Sequence, residues 1–190
     1  MLPRETVLAV FPDRVRAGGG DFPPPTLRHV VALSALGVDP EGENDAAKAT
    51  LGAWLLSLGA DELGGVVRNG GDEASRRCAR WLAGLDDPGA AVKAAWGLLS
   101  DAASTFIPPK KEGTLVSGPR GCGWPLEVGE FLASEYGIPF DRAMDAPLAT
   151  AMALVSVARK RGGGEHGGPD YYERVEMAAI TEFARRMKGG

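Results

Sequence analysis

Apolar positions recur at helical spacing along most of this chain, and the breaks between them fall at glycines and prolines. The clearest stripe is Ala47, Leu51, Trp54, Leu55 and Leu58, which predicts a helix capped by Asn44 and ended by Gly59. Upstream, Thr26 can cap a helix carrying Leu27, Val30 and Val31 on one face, with Gly37 as the left-handed stop. His29 falls on the polar side of this helix in such a reading. A short turn over 61–67 leads to Asp72, which can cap a helix with Ala74, Cys78, Trp81, Leu82 and Leu85 on its stripe and Arg76, Arg77 and Arg80 outside it. Asp87-Pro88 opens the next helix, because proline in the first turn loses no needed hydrogen bond; Val92, Ala95, Trp96 and Leu99 line its apolar side.

Between 107 and 123 the periodicity stops. Pro108-Pro109, Lys110-Lys111 and a series of glycines read as a linker loop. Pro125 marks a new helix with Trp124, Val128, Phe131 and Leu132 on one side and Gly137 as its stop. Ile138-Pro139-Phe140 turns the chain, residues 141–145 make at most one helical turn, and Pro147 opens a helix through Ala158 that is apolar nearly all round. Such a helix belongs at the centre of a fold, and Arg159-Lys160-Arg161 suit its C-terminal dipole before Gly162-Gly163-Gly164. A final amphipathic helix is predicted over 170–188, with Tyr172, Val175, Ala179, Phe183 and Met187 on one face. At the other end, Val7, Ala9 and Phe11 alternate weakly before Gly18-Gly19-Gly20 and Pro23-Pro24-Pro25, so residues 1–25 form a short strand or an extended arm. The expected fold is all-α, a helical bundle in two small lobes: an arm over 1–25, a lobe over 26–106, the linker over 107–123 and a second lobe over 124–190.

Composition narrows the function classes. With 25 acidic and 21 basic residues the chain has a formal net charge of −4, which provides no broad positive field for phosphates and disfavours nucleic acid as a partner. A helix-turn-helix over 126–158 fails because Pro147 would interrupt the recognition helix and Arg142 alone would read bases. The longest apolar stretch, 146–158, is shorter than the roughly 20 residues a membrane helix needs. Two cysteines without close spacing fit a reducing compartment, and the N-terminus shows no signal-peptide core; the expected location is the cytoplasm.

No convergent catalytic or metal-binding set emerges, and no cofactor is expected. His29 and His166 have no partner at ligand spacing. Cys78 lies on an apolar stripe, where packing accounts for it. Cys122, beside Arg120 and ahead of a helix, could have a lowered pKa but has no histidine near it in sequence; an enzymatic reading would require Cys122, Arg120 and His166 to converge. Gly118, Gly121 and Gly123 lack the lysine and hydroxyl residue of a phosphate loop.

Two segments resemble tail assembly chaperone-like proteins of long-tailed phages and prophages. The first is Pro24-Pro25-Thr26-Leu27-Arg28-His29-Val30-Val31-Ala32-Leu33-Ser34-Ala35-Leu36-Gly37 with Ala53-Trp54-Leu55-Leu56-Ser57 downstream. The second is Trp124-Pro125-Leu126 with Leu132, then Glu135-Tyr136-Gly137-Ile138-Pro139-Phe140 and Ala143-Met144-Asp145-Ala146-Pro147-Leu148 before an alanine-rich helix. Together they cover about half of the chain. The resemblance implies a non-enzymatic helical protein of the infected cell that binds the tape-measure protein and delivers tail-tube subunits. It also implies a partner-binding groove to which Trp124, Phe131, Tyr136, Phe140 and Met144 contribute; the alternative is that all five simply fill the core. The alternatives are a small structural component retained in the virion, or a helical DNA-binding or other interaction protein.

Overall fold

The computed structural model describes residues 14–40, 43–103 and 123–161. The predicted alternation at Val7, Ala9 and Phe11, nearly all of the linker, Cys122, His166 and the predicted helix over 170–188 lie outside the described residues. Among those described, the chain forms a two-stranded hairpin and eight helices, so the all-α expectation holds.

The hairpin pairs β1 (Val15–Ala17) with β2 (Gly20–Phe22) in antiparallel register, Val15 opposite Phe22. Gly18 and Gly19 form its turn at φ 58° and 83°, the mirror-image turn whose twist matches paired strands and which side chains resist. The glycines that follow the predicted strand or arm thus form a tight turn between two short strands. Phe22 is fully buried and meets Trp81 edge to face, with ring centroids 6.3 Å apart.

Helix α1 (Leu27–Ala35) starts at Thr26 and stops at Gly37, as its sequence predicts. The Gly37 N–H donates to the Ser34 carbonyl and the Val38 N–H to the Leu33 carbonyl, so the left-handed glycine closes the helix end and buries Val38. Helix α2 (Ala46–Leu56) is capped by Asp45, whose carboxylate accepts from the Lys48 N–H at 2.8 Å; Asn44, the expected cap, instead ties back to both backbone groups of Asp39. Gly59 is not the end of α2 but the cap of α3 (Ala60–Asn69), and its N–H donates to Glu62 at 3.1 Å. The predicted turn over 61–67 is thus a helix. Gly64 and Gly65 weaken its intrinsic propensity, but Leu63 and Val66 are both 1% exposed, and that burial outweighs the glycine penalty of about 1 kcal/mol each.

Helix α4 (Gly71–Ala83) begins one residue before its expected cap Asp72, after Gly70 at φ 84°. Helix α5 (Pro88–Ala103) starts as predicted, the Asp87 carboxylate accepting from the Ala90 N–H at 3.0 Å. Helices α6 (Gly123–Tyr136), α7 (Phe140–Met144) and α8 (Leu148–Arg161) follow. Helix α1 packs against α2, α3 and α6, while α8 packs on α5 and α6. Residues of the two expected lobes belong to one apolar core, which runs from Phe22 and Leu33 through Leu55 and Leu99 to Leu132, Leu148 and Ala151. Backbone contacts stitch the same seam: the Leu148 N–H donates to the Pro25 carbonyl at 2.6 Å, and Thr26 pairs with Pro147 in an isolated antiparallel bridge. The apolar α8 is as central as predicted, burying Leu148, Ala149, Ala151, Ala153 and Val155.

Candidate partner-binding surface

Residues 123–148 make a helix, a tight turn and a second short helix folded back on the first. Pro125 sits in the first turn of α6, and Gly137 at φ 65° ends the helix directly after Tyr136. Pro139 then caps α7, its carbonyl accepting from the Ala143 N–H at 2.9 Å. The return is close because Gly129 has no side chain. A Cβ there would lie 2.6 Å from the Met144 sulfur and 3.2 Å from the Phe140 ring. Arg28 on α1 fixes the far side of the turn, donating through Nε to Asp145 at 2.6 Å and through its terminal nitrogen to the Asp141 carbonyl at 3.2 Å.

The five aromatic and methionine positions predicted to form a groove do not share one fate. Met144 is 5% exposed, enclosed against Gly129 as part of the core. Trp124, Phe131 and Tyr136 are half-buried and packed on the core. The Phe131 and Tyr136 rings meet edge to face at 6.5 Å, and the Tyr136 hydroxyl donates to the Leu154 carbonyl at 3.2 Å, pinning the end of α6 to α8. Phe140 is different: 47% of it is exposed although its ring rests on Gly129.

Sequence reasoning missed a second member of this surface. Leu126, 45% exposed, lies one helical turn before Gly129; it and Phe140 are the exposed large apolar side chains among the described residues. The signal was in the spacing. Pro125, Gly129 and Leu132 form the buried stripe of α6, and Leu126 stands about 100° from Pro125 around the helix, on the edge of that stripe. Exposed Glu127 and Glu130 follow Leu126 on α6 and exposed Asp141 adjoins Phe140, so acidic side chains flank both apolar residues, with Arg142 and the Asp145-paired Arg28 as cations at the same turn.

The histidine and cysteine of the described residues are built into the core. His29 is buried rather than on a polar face: it is the third residue of α1, and its Nδ1 accepts the Thr26 backbone N–H at 3.1 Å while Nε2 lies 3.1 Å from the Leu58 carbonyl. Burial pushes its pKa down, against smaller upward pulls from the Leu58 carbonyl and Asp145. Burial pushes the Cys78 thiol up, the opposite of an activated nucleophile. Arg14 holds Asp21 below the usual carboxylate range through a two-pronged contact at 2.8 and 2.9 Å on the hairpin surface. Among the described residues no group of three or more His, Cys, Asp or Glu side chains could hold a metal ion, and no helix is long and apolar enough to cross a membrane. The convergence of Cys122, Arg120 and His166 that an enzyme reading requires falls outside the described residues. Comparison with protein-family models, curated proteins and solved structures finds no match to the chain.

Proposed function

We propose that this protein is a non-enzymatic assembly factor of long-tailed phages, which holds an amphipathic helix of the tape-measure protein on the α6–α7 surface in the host cytoplasm and brings it to tail-tube subunits. The observation that carries this reading is the exposure of two large apolar side chains on this helical turn, Phe140, whose ring rests on Gly129, and Leu126, three residues before Gly129 on α6. Exposed apolar anchors of this kind suit the apolar stripe of an amphipathic helix laid across them. The rim of Glu127, Glu130 and Asp141 favours a partner helix whose apolar stripe is flanked by lysine or arginine. The resemblance of residues 24–37 and 124–148 to tail assembly chaperones supplies the identity of that partner.

Co-expression with overlapping tape-measure fragments tests the proposal. A fragment of amphipathic, basic-flanked helix should co-purify with the full chain, and mass spectrometry of finished particles should not find the chain in them. Failure to retain any tape-measure or tail-tube fragment would refute the reading; recovery from purified particles would replace it with that of a structural virion component.

A further inference from the structure

His29 sits where three parts of the fold are tied together. It is 2% exposed. The Leu58 carbonyl, at the junction of α2 and α3, can only accept a hydrogen bond, so the proton of the neutral ring belongs on Nε2. Nδ1 is then a bare acceptor, and it receives the Thr26 N–H at 3.1 Å, with the Thr26 hydroxyl 2.9 Å away. Thr26 in turn bridges Pro147, and its neighbour Pro25 accepts the Leu148 N–H. One neutral tautomer therefore closes the start of α1, the end of α2 and the entry to α8 together.

A second proton has one place to go, Nδ1, where it would point at the Thr26 N–H, donor against donor. The Thr26 hydroxyl can turn to accept it, but the buried amide then has no acceptor. The charged groups around the ring do little to offset this. Asp145, whose charge favours the protonated ring, is already engaged by Arg28. Asp45 at the cap of α2 and Lys48 within it, Asp61, Glu62 and Arg68 on α3, and Glu127, Glu130 and Glu135 on α6 are all exposed to solvent.

We propose that His29 is a proton-operated latch: protonation at Nδ1 breaks the cap of α1 and loosens the Thr26–Pro147 seam at the entry to α8 in mildly acidic solution, while Arg28 keeps its hold on Asp145. The direction follows from linkage. Because the folded ring resists its proton more than the unfolded ring does, the contact is at full strength above the ordinary histidine value of about 6.5 and weakens as pH falls below it.

The test combines ring NMR with amide hydrogen exchange on the full chain, from about one pH unit above the ordinary histidine value to about one and a half below it. In the wild type, protection of the Leu148 amide, corrected for intrinsic exchange, should fall by up to about tenfold per pH unit, while amides of α5 hold. The His29 ring signals should titrate over the same interval. In His29→Gln the side-chain amide offers an acceptor and a donor side by side without titrating, so Leu148 protection should stay flat. The latch is overturned if His29→Gln keeps the wild-type pH profile. It is equally overturned if the wild-type ring takes up its proton while Leu148 stays protected, a result that needs no variant to fold.

Discussion

Two glycines with the same backbone conformation and opposite surroundings offer a controlled test of how the hairpin is held. Gly18 and Gly37 have φ of 58° and 73°, so alanine at either position carries a left-handed penalty of about 1 kcal/mol. At Gly37 nothing lies within 4 Å of the new Cβ, and that penalty is the whole effect. At Gly18 the Cβ would collide with the Asp87 carbonyl oxygen and lie 3.0 Å from the Ala91 nitrogen, both backbone atoms that cannot swing aside. The hairpin tip must then lift off the start of α5, losing the hydrogen bonds from the Asp86 and Asp87 N–H groups to the Gly18 carbonyl at 3.0 and 3.2 Å. At about 1 kcal/mol each, these bring the expected cost of Gly18→Ala to about 3 kcal/mol. Thermal unfolding followed by circular dichroism should show Gly37→Ala lowering Tm by roughly 2–4 °C and Gly18→Ala by roughly three times as much. Equal shifts for the two variants would refute the docking of the hairpin turn on α5.

Other positions give simpler expectations. Leu132→Ala removes a fully buried side chain where α6 meets the shared core, and urea unfolding should show a loss of about 2–4 kcal/mol in one cooperative transition; two separate transitions would contradict a common core. Trp96→Phe deletes the indole N–H that donates to the Ala49 carbonyl at 2.9 Å between α5 and α2, which should cost about 1 kcal/mol by the same assay. Gly129→Ala should leave stability within about 1 kcal/mol, since the gain in helix propensity offsets the displacement of Met144, yet it should move the Phe140 ring and change the near-ultraviolet spectrum.

Much of the fold was legible because glycine and proline punctuate it. Gly37 and Gly137 stop helices through positive φ, and Pro88 and Pro125 sit in first turns as their chemistry dictates. Helix α3 was hidden because Gly64 and Gly65 mask a helical period that the burial of Leu63 and Val66 enforces from outside the segment. His29 was misjudged for a related reason. A histidine near a helix start reads as polar unless its acceptor and donor partners are known, and one of them, Leu58, is distant in sequence. The candidate surface was half legible: aromatic residues around the Gly137 turn drew attention, but the sequence pattern does not separate Phe140, left exposed, from Met144, drawn into the space above Gly129. The contact that ties this turn to α1, from Arg28 to Asp145, likewise joins residues more than a hundred positions apart in the chain.

The claim that the α6–α7 surface receives a helical partner is tested most directly by calorimetric titration of a tape-measure fragment into the wild type and into Phe140→Ala. The Phe140 ring is nearly half exposed, so its removal should leave the fold intact while weakening binding at least roughly tenfold, the loss expected of an anchor residue. Unchanged affinity in a folded Phe140→Ala variant would contradict the assignment of this surface.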